Sequence, residues 1–163
     1  MSVVNGLPAH ILLVHFIVVL APLTAILALG ASVWPAIRRR LVWLIAALAV
    51  ITLVLTPLTT EAGEWLEERV PETGAVETHA ELGDSMLFFA LGLVVVAALL
   101  VVLHVREGRG TGSVRWQSIA VVVVTVVVAA ATIVQVIRIG ESGARAAWEN
   151  TVSTAPAEDG SDE

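Results

Sequence analysis

The chain has 163 residues, 57% hydrophobic and 15% charged, with mean hydropathy +0.89 and a formal net charge of −6. A soluble domain of this size cannot wet so much apolar side chain, and the apolar residues fall in long blocks, which places the chain in a membrane. The lack of cysteine excludes disulfides, thiolate metal sites, iron–sulfur clusters and covalently attached c-type haem, and the lack of lysine beside an acidic balance excludes a nucleic-acid surface.

The first apolar block runs from Ala9 to Trp34. It opens on "VNGLPAH", where Asn5 or Gly6 is expected to cap a helix and Pro8 suits a first helical turn. Pro22 lies mid-span as a candidate kink, and Pro35 marks the end. No basic residue precedes this block and it is too long for a typical signal peptide. The second block, Leu41 to Thr59, is expected to continue past Pro57 into "TTEAGEWLEERV", with Trp65 as an interfacial anchor. "VPETGAVE" reads as a loop.

"THAE" then reads as a capping box, Thr78 to Glu81, with His79 the first helical residue of the third span, 80–104. "REGRGTGSVR" reads as a turn, and the valine-rich fourth span covers 116–138. Residues 149–163 are polar and acidic, the composition of a disordered tail. No internal repeat stands out. Each block has about the 20 residues that a bilayer requires, and continuous apolar runs without alternation mean helices. The expected fold is an all-α integral membrane protein, one four-helix antiparallel transmembrane bundle over 1–148.

Arginine orients it. Arg38, Arg39 and Arg40 lie between spans one and two, and Arg106, Arg109 and Arg115 between spans three and four. All acids but Glu107 lie elsewhere. The positive-inside rule puts these turns in the cytosol and both termini outside the plasma membrane of a bacterial cell.

Counting from the arginines gives depth. His10 lies 28 residues before Arg38, and His79 lies 27 before Arg106, so the two are expected at one height. His15, Glu64, Gly83 and Arg138 fall in the layer just below, with Glu61 and Asp84 within a turn of it. These groups form a candidate cup at the outer face. Thr125, Thr132 and Gln135 share one face of the fourth helix, a polar seam expected to face the bundle interior. Because His10 and His15 are five apart, at most one of them can look into the bundle axis. His104 is expected to be a solvated residue near a helix end.

Several readings stay open. His15 or His10 with His79 can ligate a b-type haem between helices. His10, His79 and a carboxylate such as Glu64 or Asp84 can hold a divalent metal. His15, Asp84, Glu64 and Arg138 can form a proton or ion relay, with Thr125, Thr132 and Gln135 lining its path. In the plainest reading these groups hydrogen-bond one another and fasten helix ends. No phosphate loop, nucleophile elbow or HExxH is present, which points away from enzyme chemistry.

A second stretch, "RIGESGARAAW", brackets Glu141 between Gly140 and Gly143, which permit a turn or close backbone approach, with Arg145 and Trp148 suited to an interfacial return segment. Together with "LPAHILLVHF" and "HAELGD" it resembles the bacterial membrane-protein family catalogued as domain of unknown function 2231, over residues 7 to about 148. The resemblance implies a four-helix membrane domain and no established activity. His10, His15, His79, Gly140 and Gly143 match the family's pattern. Ile17 stands where the family often has proline, and Glu141 where it often has histidine.

The expected protein is thus a non-catalytic membrane module. Its outer cup of His10, His15 and His79, with Glu61, Glu64, Asp84, Gln135, Arg138 and Glu141 as supporting polar groups, takes haem b or a metal ion. Its partners are the lipid bilayer and another membrane or redox subunit. The alternatives are a small proton or ion conductor and a structural or assembly subunit.

Overall fold

The computed structural model describes residues 3–4, 6–110 and 115–148. Asn5, the middle of the turn before the fourth span (111–114) and the acidic stretch 149–163 lie outside them. Four helices carry the fold: α1 (Ala9–Val33), α2 (Pro35–Glu67), α3 (Gly74–Gly108) and α4 (Arg115–Trp148). All four are long and apolar enough to cross a membrane. A two-residue hairpin, β1 (Val3–Val4) against β2 (Leu7–Pro8), precedes them. Gly6 turns that hairpin at φ +82°, a conformation that glycine adopts freely, so it is not the expected helix cap.

Each helix packs on the helices next to it in sequence, α4 closes against α1, and α1 also touches α3 across the centre. The result is an antiparallel bundle. α1 brings Ala21, Ala25, Ala28 and Ala31 to the interior, all at most 1% exposed. Small side chains let backbones approach closely, which is how helices associate where lipid offers no hydrophobic driving force. The other helices supply larger partners, among them Ile45, Leu93, Val96 and Leu100. Phe16, Ile26, Phe88 and Val127 point outward, as lipid-facing residues should. Trp34 and Trp116 stand exposed at one end of the bundle and Trp148 at the other, where amphipathic rings suit the membrane interface.

The helices outrun the apolar blocks. Trp34 alone joins α1 to α2, its N–H donating to the Gly30 carbonyl at 2.9 Å, and Pro35 opens α2 at once. Arg38, Arg39 and Arg40 are therefore helical, not loop. Charge does not end a helix, and proline at the first helical position starts one. α3 begins at Gly74, where Thr73 accepts from the Val76 N–H at 3.3 Å. The expected capping box at Thr78 is absent, since the Thr78 hydroxyl donates to Gly74 O at 2.8 Å inside the helix. α4 runs on through Gly140 and Gly143 to Trp148, with no turn or return segment.

Among the described residues one charged side chain is buried. Arg38 is 3% exposed. Its guanidinium donates to both carboxylate oxygens of Glu107 on α3, at 3.3 and 2.5 Å, and to the carbonyls of Ala31 and Ser32 at 2.7 and 3.3 Å. Those carbonyls belong to the last turn of α1, which has no further helical partners for them. A single side chain thus satisfies the end of α1 and ties α2 to α3. Glu107, the one acid on the arginine side of the sequence, is its counter-ion. Removing Glu107, whose own side chain is 27% exposed, strands the buried guanidinium. Glu107→Ala should therefore lower stability by about 3 kcal/mol, read as a lower midpoint of thermal unfolding in detergent; an unchanged midpoint would show that the pair does not hold the bundle.

Candidate functional site

The far end of the bundle gathers the histidines. His10 lies in the first turn of α1 and turns inward, where its Nδ1–H donates to the Thr59 carbonyl of α2 at 2.9 Å. His79, in the second turn of α3, places Nδ1 3.0 Å from Ser142 Oγ of α4. That hydroxyl donates its proton to the Ile139 carbonyl at 3.0 Å, so it accepts from His79 Nδ1–H. Both rings are then held in the same tautomer, which leaves the lone pair on Nε2. Their centroids are 6.1 Å apart with planes at 87°. Residues 69 positions apart in sequence thus meet across the bundle, at one height.

Glycines make room for them. A Cβ on Gly63 would lie 3.0 Å from His10 Nδ1, and one on Gly143 would lie 2.9 Å from His79 Cε1. Neither Gly63, Thr59 nor Ser142 was singled out by reading the sequence, and the recurring Glu-small-Gly at 61–63 and 141–143 is the signal that could have found the first and last. Gly140 touches nothing within 4 Å. Of the two glycines that bracket Glu141, only Gly143 is a seat.

The rest of the expected cup does not join the pair. His15 is exposed and bonds the Ile11 carbonyl of its own helix. Five residues turn a helix by about 140° relative to His10, so it looks outward. Glu61, Glu64 and Asp84 are exposed on the bundle's flanks. Among the described residues no group of three or more His, Asp or Glu is placed to hold a metal. Arg138 and Glu141 line a groove of about 340 Å³ between α3 and α4, together with Arg145, Thr78 and Ser142. The cup is therefore two buried-facing imidazoles with charges around the rim.

The seam on α4 is buried as expected, with Thr125, Thr132 and Gln135 at 1%, 0% and 4% exposed. The hydroxyls donate to carbonyls of their own helix, Thr125 to Val121 at 2.7 Å and Thr132 to Val128 at 2.8 Å. Thr24, Thr52, Thr56 and Thr59 do the same on α1 and α2. Their protons are committed, which leaves little for a relay. Gln135 is different: its amide reaches α3, donating to Leu82 O at 3.0 Å and Ser85 Oγ at 2.7 Å. At the opposite end His104 is half-buried, and its Nδ1 is buried with no hydrogen-bond partner among the described residues, so it is not the solvated residue expected there.

The family described as "Predicted membrane protein (DUF2231)" matches residues 6–156, nearly the whole chain, and the chain belongs to it. No curated protein and no solved structure matches it.

The two kinds of buried polar group should behave differently when removed. Gln135→Leu deletes a cross-helix bond and should cost about 1 kcal/mol, whereas Thr125→Val deletes only a back-bond and should stay within about 0.5 kcal/mol. Unfolding of both variants in detergent checks this; equal costs would mean that the threonine hydroxyls do more than serve their own helix.

Proposed function

We propose that this member of the family is a non-catalytic membrane module that binds haem b or a metal ion between His10 and His79, in a redox or envelope complex of the bacterial plasma membrane. In this reading the arginine end faces the cytosol, and both termini and the histidine pair face outward. The arginine bias between the spans supports that orientation.

One observation carries the ligand reading: two imidazoles from separate hairpins, each anchored through Nδ1, brought to a centroid separation of 6.1 Å. Metal-binding histidines are held in this way, one nitrogen fixed by a carbonyl or hydroxyl and the other presented to the metal. Two imidazoles on opposite sides of one ion, at about 2.0–2.1 Å per bond, put their centroids roughly 6 Å apart. Were haem bound here, His10 and His79 would be the residues that hold its iron, and the porphyrin would supply the remaining nitrogens. A divalent ion with protein ligands alone needs more than two, and Glu64 and Asp84 are exposed beyond the pair. The donor set therefore suits haem better than a four-ligand metal site. When bound, haem would supply one-electron transfer; the chain's own part is to hold and shield it.

Conduction is the weaker reading, because the threonine protons that would line a path are already donated along their helices.

The deciding experiment is a visible spectrum with elemental analysis of the full chain purified in detergent. A Soret band that weakens in His79→Ala and in His10→Ala, and not in His15→Ala, is expected. A colourless, metal-free protein that takes up no added haem would overturn the reading and leave the pair a structural fastening.

A further inference from the structure

The two halves of the bundle bury the same positions. The shift that carries His10 onto His79 also carries Ile17 onto Met86, Ala21 onto Ala90, Thr24 onto Leu93 and Ala28 onto Ala97, all of them buried. The shift that carries Gly63 onto Gly143 carries Ala49 onto Ala129, Thr52 onto Thr132, Thr59 onto Ile139 and Ala62 onto Ser142, buried again. The helix contacts agree. α1 packs on α2 as α3 packs on α4, α2 packs on α3 as α4 packs on α1, and α1 meets α3 across the middle. Two helical hairpins are thus related by a two-fold axis along the bundle, the arrangement of parallel repeats in membrane proteins.

The seat of each histidine is repeated with them. His10 donates to the carbonyl of Thr59, four residues before Gly63. His79 is tied through the Ser142 hydroxyl to the carbonyl of Ile139, four residues before Gly143. A Cβ at Gly143 would lie 2.9 Å from the His79 ring, closer than such contacts allow, and one at Gly63 would lie 3.0 Å from the His10 ring, tight enough to displace it by a few tenths of an ångström. Of the other cup groups, the same shifts carry Glu61 onto Glu141, but His15 onto Asp84 and Glu64 onto Ala144, so among the histidines only His10 and His79 are equivalent.

We infer that the chain is an internal duplication whose two halves each contribute one imidazole to a single metal ion on the pseudo-two-fold axis, with Gly63 and Gly143 as equivalent positioning residues. This rests on the ligand reading above and sharpens it: the ligand chemistry is two imidazoles trans on one metal. Haem iron supplies it, and so does a bare two-coordinate copper(I), since imidazole suits both metals.

The test uses the full chain in detergent, titrated with hemin and, separately and without oxygen, with copper(I). One equivalent per chain is expected from one of the two, which identifies the carrier. His10→Ala and His79→Ala should each abolish the two-imidazole signature, a six-coordinate low-spin spectrum in the haem case. Gly63→Ala and Gly143→Ala should each weaken binding by about 10- to 100-fold, to a similar extent, with the spectrum shifted toward single-imidazole ligation. Helix content checks folding, and if an alanine variant fails to fold, His10→Gln and His79→Gln make the same comparison between halves. Binding that responds to one half only, or a stoichiometry of two, would overturn the inference while leaving the ligand reading standing. Uptake of neither metal would overturn both.

Discussion

A guanidinium held out of water fixes the register of this bundle. Arg38 can be buried only because Glu107 and the last carbonyls of α1 meet it together. Sliding α1, α2 or α3 by a turn would strand the charge, and an unpaired ion in an apolar interior costs several kcal/mol. Three helices are thereby locked at one end. Rigid rods pinned at one end arrive at fixed heights at the other, which is how His10 and His79 come level despite lying on different hairpins. The fourth helix is keyed to the third by Gln117 accepting from Arg106 at 3.0 Å, by the Gln135 amide and by the contact of His79 with Ser142.

Between these ends the bundle avoids strong polar contacts. Alanines on α1 bring the centre close, and buried threonines turn their hydroxyls back on their own helices. Such hydroxyls add little to association but cost little to bury. The cross-helix polar contacts then sit where they specify something: a charge pair that sets register, an amide that aligns α4, and a pair of imidazoles at the far end. The first two are fully accounted for by structure. The imidazoles are not, since fastening alone does not require two histidines to face each other with glycines cleared behind both rings.

Much of this was legible from residue order. Four apolar blocks gave four helices, arginine positions gave a common floor, and counting up from it gave the matching heights of His10 and His79. The inward threonine and glutamine face followed from helical spacing. What stayed hidden depended on partners distant in sequence. Nothing local marks Arg38 as buried and its neighbours Arg39 and Arg40 as not, because the difference lies in Glu107. The helices run past the apolar blocks at their ends, since a polar turn continues a helix as readily as it ends one. Nothing near Gly63 in the sequence marks it as the seat of the His10 ring, because that ring comes from α1. The duplication shows no single period in the sequence, because α1 and α3 are offset by one shift and α2 and α4 by another.

The central claim is that the two Nδ1-anchored imidazoles meet across the axis while His15 stands apart. Histidine side-chain NMR on the isotope-labelled full chain tests it most directly, with His79→Gln assigning the signals. His10 and His79 should both carry the proton on Nδ1 and show through-space contacts between their rings, with none from either to His15. Contacts of His15 with His79, or none between His10 and His79, would contradict it.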